Sequence, residues 1–127
     1  MLDNARGPKV DAVENLYRAI TCPEWWKPER EGPSSAAFNW PKFSADIASL
    51  CTPNATLSRL KKRGCGLVQF NCGEARKLEF DARDELDQEY PDNHAHAHVY
   101  CNSNPNQRKR QARKLSELCV TIRPPSF

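Results

Sequence analysis

Asn93-His94-Ala95-His96-Ala97-His98-Val99-Tyr100 holds all three histidines of the chain within five residues. Successive side chains of a strand point to opposite faces. Read as a strand, this stretch puts His94, His96, His98 and Tyr100 on one face and Ala95, Ala97 and Val99 on the other. The second face is small and apolar and suits a core, while the first is polar throughout. Asn104-Pro105 follows shortly after, a capping amide with proline at the first helical position. The strand therefore hands over to a helix, running to about Leu118.

That helix is amphipathic. At about 100° per residue, Ala112, Leu115, Leu118 and Cys119 fall on one side, and Lys109, Arg110, Arg113 and Lys114 fall on the other. A last short strand, Val120 to Arg123, ends at Pro124-Pro125. On the N-terminal side of the histidines, residues 79–92 carry Glu79, Asp81, Asp84, Glu85, Asp87, Glu89 and Asp92 against Arg83, and read as an exposed acidic segment anchored by Leu86 and Tyr90. Before it, Gly66 to Cys72 reads as a buried strand and Glu74 to Leu78 as a turn or short helix. Thr52-Pro53 opens a helix expected to reach Arg63 and stop at Gly64. Phe43, Ala45 and Ile47 alternate with Ser44, Asp46 and Ala48 as a strand.

Residues 22–41 form a Trp/Pro-rich loop holding Trp25, Trp26 and Trp40 and punctuated by Pro23, Pro28, Pro33 and Pro41. Such a loop packs down on a core, or serves as a lid, a stacking platform or a protein-interaction surface. Val10, Val13, Leu16, Tyr17 and Ile20 suit a helix face after Pro8, with a short strand at Leu16 to Ile20 as the alternative. The sum is one α+β domain over residues 1–127, a small mixed sheet of about four to five short strands with two to three helices.

Net charge is +3, too small to imply nucleic acid by itself. The six cysteines show no Cys-x-x-Cys spacing, and the N-terminus lacks the apolar stretch of a signal peptide. No apolar run approaches a membrane span. A reducing, cytoplasmic location with free thiols and no membrane partner is the expectation.

Three readings of the histidine face stand side by side. Histidines two apart on a strand can share zinc or another transition metal. His94 and His98 are roughly 13 Å apart at about 3.3 Å per residue, so one ion takes two of His94, His96 and His98 and needs further ligands, such as Asp92 or Glu89. Alternatively, a central His96 performs acid–base work on a phosphate-containing ligand, with Arg18 or Arg108 holding the phosphate and Ser34 or Ser35 orienting the substrate. The third is an exposed sheet face of hydrogen-bonded histidines without chemistry. Arg108, Lys109, Arg110, Arg113 and Lys114 could in turn meet the phosphates of a nucleotide, RNA or DNA, or form a solvated face opposite the acidic segment. No Gly-x-Ser-x-Gly elbow and no phosphate-binding glycine loop occur.

Leu16-Tyr17-Arg18, Ser34-Ser35-Ala36-Ala37-Phe38, Phe43 to Leu50, Ala95-His96-Ala97 and Ala112-Arg113-Lys114-Leu115 occur in that order. The order resembles a family of small bacterial proteins of unknown function. The resemblance implies no named activity and favours His96 over His94 and His98. An arginine on an early strand and a serine pair also resemble, remotely, ADP-ribosyltransferase-like folds that use NAD, although no Glu-x-Glu follows. Size and this resemblance together suggest a component of a toxin or phage-defence cassette.

Overall fold

The computed structural model describes residues 6–84 and 92–127. In chain order it contains β1 (Asn15–Ile20), β2 (Trp26–Lys27), β3 (Gly32–Pro33), β4 (Lys42–Ile47), α1 (Pro53–Ser58), β5 (Gly66–Asn71), α2 (Cys72–Lys77), β6 (Phe80–Arg83), β7 (His96–Cys101), α3 (Pro105–Leu118) and β8 (Val120–Arg123). Six strands form one sheet in the order β6-β7-β4-β1-β5-β8, and β2 pairs with β3 in a separate ribbon. Each of these pairs is antiparallel. The α+β class holds, with more strands than the sequence suggested, because the tryptophan loop supplies a ribbon and the acidic segment begins with a strand.

Period-two alternation sorts the sheet into two faces. Leu16 and Ile20 of β1, Phe43, Ala45 and Ile47 of β4, Val68 and Phe70 of β5, and Ala97 and Val99 of β7 all join one core. Ala112 and Leu115 of α3, both fully buried, cover this face together with Ala37 and Phe38 from a 3-10 turn at Ser35–Ala37. Phe38 meets Phe43 and Phe70 edge-on, with ring centroids 5.6 and 6.0 Å apart, the geometry that aromatic quadrupoles favour. The reverse face carries Tyr17, Ser44, Asp46, His96 and His98, and α1 lies on that side, bonded to Asp46 and packed against β1 and β5.

Several elements differ from the sequence reading. The stretch from Pro8 is no helix. Glu14 N–H donates to Asp11 O at 3.0 Å and Val13 N–H to Asp11 Oδ1 at 3.1 Å, making a turn. β1 then follows, with partners on both sides whose ladder bonds favour the period-two reading of Leu-Tyr-Arg-Ala-Ile. Thr52 caps α1 as expected, accepting from Ala55 N–H, but the helix ends at Ser58, whose hydroxyl turns back to Ala55 O at 3.0 Å. Gly64 is therefore a turn residue ahead of β5, at φ +80°.

The acidic segment is not exposed at its start: every residue of β6 is buried. Phe80 and Ala82 face the core, while Asp81 and Arg83 pair with each other on the reverse face. Residues 85–91, with Leu86 and Tyr90, lie outside the described residues. The histidine strand begins at His96 rather than His94. Asn93 Oδ1 accepts from Ala95 N–H at 3.1 Å, and this local turn carries His94 off the strand and into solvent. In the tryptophan loop, Trp25 and Trp26 pack against the core and Trp40 is 45% exposed. All six cysteines are free thiols, and no described helix is long and apolar enough to cross a membrane.

Candidate functional site

The central pair of strands does not stay together. β1 meets β5 along its whole length, yet meets β4 only at Leu16↔Ile47 and Tyr17↔Asp46. Beyond Tyr17 the two strands part, and the next side chain, Arg18, spans the split. Its Nε and Nη2 donate to Ala37 O at 3.0 and 2.9 Å, and its Nη1 donates to Ser44 O at 3.2 Å. The guanidinium carbon sits 4.5 Å from the Trp25 ring centroid and 4.8 Å from that of Phe43, within cation–π range. Arg18 is 8% exposed. Burial lowers its pKa to about 10, against a small opposing influence of Cys22. It remains a cation at neutral pH, and its described hydrogen-bond acceptors are all backbone carbonyls. Among the described residues no carboxylate pairs with it.

Where the strands part, the reverse face opens into a cavity of about 360 Å³. Arg18, Trp25, Ser44, Asp46, Arg59 and His96 contribute to its lining. Asp46 is heavily engaged: its Oδ2 accepts from Thr56 Oγ1 at 2.7 Å and Arg59 Nη1 at 2.8 Å, and its Oδ1 accepts from Asn93 Nδ2 at 2.9 Å. This carboxylate ties β4, α1 and the turn before β7 together, and Arg59 neutralises it. Asp46 is a cornerstone of the wall, bonded to three other side chains.

His96 lies directly across from Asp46 in the β4–β7 register, and His98 directly across from Ser44. The imidazole of His96 is buried, with Nε2 3.2 Å from Ser44 Oγ. The His98 ring stands perpendicular to it, centroids 4.6 Å apart. The sheet ladder and this ring contact fix the orientation of His96 against the cavity.

Of the residues singled out in the sequence, His96 and Arg18 come together here. Ser34 and Ser35 do not line the cavity. Ser34 is buried and its hydroxyl donates to Glu24 O at 2.6 Å, while Ser35 opens the turn that supplies Ala37. Arg108, Lys109, Arg110, Arg113 and Lys114 ride on α3, which covers the opposite face of the sheet. Arg108 donates to Asn39 Oδ1 at 3.4 Å, and the other four are exposed. His94 is exposed in its turn, and His98 is buried behind His96. Among the described residues no group of three or more histidine, cysteine or acidic side chains is placed to hold a metal ion.

Ser44, Asp46, Arg59 and Asn93 enter the site without having been singled out as site residues, whereas Trp25 comes from the loop whose readings included a stacking platform. Ser44 and Asp46 had a usable signal: they are the polar members of an alternating strand, on the face away from the core. Arg59 had none, since a cation near a helix end already has an explanation in the helix dipole. No protein family, curated protein or solved structure matches the chain.

Proposed function

We propose that this protein binds a small phosphate-containing ligand, of about the size of a nucleotide, in the cavity between Arg18 and His96, with His96 as the central site residue. One observation carries the reading: a buried guanidinium with no described carboxylate partner borders the cavity. Burying a cation without a counter-charge is costly, and an arriving phosphate offsets that cost with charge-assisted hydrogen bonds. Arg18 is already held by two carbonyls and two aromatic rings, so little side-chain entropy is lost on binding. Arg59, partly exposed at 36% and paired with Asp46 through Nη1, keeps further N–H donors on the same cavity. Trp25 offers an apolar wall for a planar group. Free thiols agree with a cytoplasmic setting.

Calorimetric titration with inorganic phosphate and with a nucleoside monophosphate tests this. Arg18→Lys keeps a charge but loses the planar fork, and is expected to weaken binding by about tenfold or more. His96→Ala weakens it as well. The double variant Lys109→Ala/Lys114→Ala on α3 leaves it unchanged. Equal affinity in wild type and Arg18→Lys, both folded by thermal melt, overturns the reading.

A further inference from the structure

Resting on that reading, we infer that Ser44 is a nucleophile that takes a phosphoryl group from a phosphate monoester, with His96 as its base. Among the described residues, Ser44 is set apart from the other serines by its pairing with an imidazole. The hydroxyls of Ser34, Ser58 and Ser116 each donate to a backbone carbonyl, of Glu24, Ala55 and Arg113 respectively. That is how a serine satisfies itself when it has only a structural part. The Ser44 hydroxyl makes no such bond. Among the described residues its partner is His96 Nε2 at 3.2 Å, and both groups border the cavity. A hydroxyl within hydrogen-bond reach of an imidazole held in place by a third group is the arrangement that activates a weak nucleophile. The perpendicular ring of His98 supplies the third group. Arg18 donates to the backbone carbonyl of the same Ser44 and borders the same cavity, so the buried cation is at hand for the charge that develops on the phosphoryl oxygens.

The step balances without a cofactor. With His96 neutral and its proton on Nδ1, Nε2 accepts the Ser44 proton as Oγ attacks phosphorus. The Oγ–P bond forms and the P–O bond to the alcohol breaks. The imidazolium returns the proton to the departing oxygen. Water then attacks the phosphoserine, His96 takes its proton, the Oγ–P bond breaks and Ser44 Oγ is reprotonated. The products are the alcohol and inorganic phosphate, and the substrate class is a phosphate monoester whose organic part fits against Trp25.

p-Nitrophenyl phosphate is the probe. Wild type should release p-nitrophenolate, and acid-quenched protein should carry one phosphoryl group, mapped to Ser44 by peptide mass. Ser44→Ala and His96→Gln should each reduce turnover by at least about a hundredfold while melting cooperatively. Turnover that survives in Ser44→Ala overturns the inference. So does wild type that binds inorganic phosphate but neither turns over the ester nor acquires the phosphoryl group, and that outcome leaves the binding reading standing. Wild type that binds no phosphate overturns both.

Discussion

Two serines separate what a residue type suggests from what its neighbours allow. Ser34 sits in a tryptophan-rich loop beside a second serine, which draws the eye to it in the sequence. Its hydroxyl is spent on Glu24 O, and its N–H donates to Trp25 O at 2.9 Å. It fastens the loop that presents Trp25 to Arg18. Ser34→Ala should therefore lower stability by about 1 kcal/mol, the usual worth of such a hydrogen bond, and leave phosphate affinity unchanged in calorimetric titration. A loss of affinity at unchanged melting temperature would return Ser34 to the site. Ser44 is inconspicuous in Phe43-Ser44-Ala45-Asp46-Ile47, because a polar residue between apolar ones is what any half-buried strand shows. What distinguishes it is the histidine on the next strand, and strand order is a property of the fold. Gly64 makes the same point for the backbone. It reads as a helix stop, yet a Cβ there would lie 2.7 Å from Ser126 O, and φ is +80°. Gly64→Ala should cost about 2 kcal/mol from left-handed strain alone, read as a lowered denaturation midpoint.

Local chemistry was legible wherever an element is fixed by its own residues. Thr52 and Asn104 were both readable as caps, and each accepts from the N–H three residues on, at Ala55 and Gln107. The span of α3 was readable too, since its apolar stripe and its cap agree. Elements whose own pattern is ambiguous or masked by charge were not. β1 reads as helix or strand until β4 and β5 flank it, and β6 looks like solvent-exposed acid until Arg76 and Arg83 are known to meet Asp81. The two caps also separate stability from function. Removing either should cost about 1 kcal/mol. α1 carries Thr56 and leads to Arg59, both bonded to Asp46 in the cavity wall, whereas α3 covers the other face. Thr52→Ala should thus lower stability and weaken phosphate binding together. Asn104→Ala should lower stability by a similar amount with affinity intact. Identical affinity losses in the two variants would show that the cavity responds to global stability rather than to α1.

At the scale of the whole molecule, the cavity exists because two central strands part after two paired positions, and a buried arginine holds the gap. No sequence period announces that. The β6 edge of the sheet is held by a second charged knot with its own pH signature. Burial pushes the Asp81 carboxyl up, but hydrogen bonds from Arg76 and Arg83, together with their charges, outweigh it and hold the group below the usual aspartate range. Arg76 Nε donates to Asp81 Oδ1 at 3.0 Å and Arg83 Nε to Asp81 Oδ2 at 2.7 Å. The same arginines reach the N-terminal segment, Arg76 at Val10 O and Arg83 at Gly7 O. That segment pairs with the outer edge of β6 through Val10 N–H to Ala82 O at 3.0 Å and Asp84 N–H to Pro8 O at 2.8 Å. Asp81 therefore joins α2, β6 and the edge-covering segment. A carboxyl whose pKa is lower folded than unfolded stabilises the fold above its unfolded pKa, about 3.9. That contribution is lost as pH falls through the folded value, because the unfolded chain then binds the proton more readily. Asp81→Asn should be less stable than wild type at pH 7. The gap should close steadily below about pH 4, as wild type alone loses the charged form of this carboxylate. Denaturant unfolding of both proteins at pH 7, 4 and 2.5 measures this, and a gap that stays constant across the series would mean that Asp81 is held by packing rather than by charge.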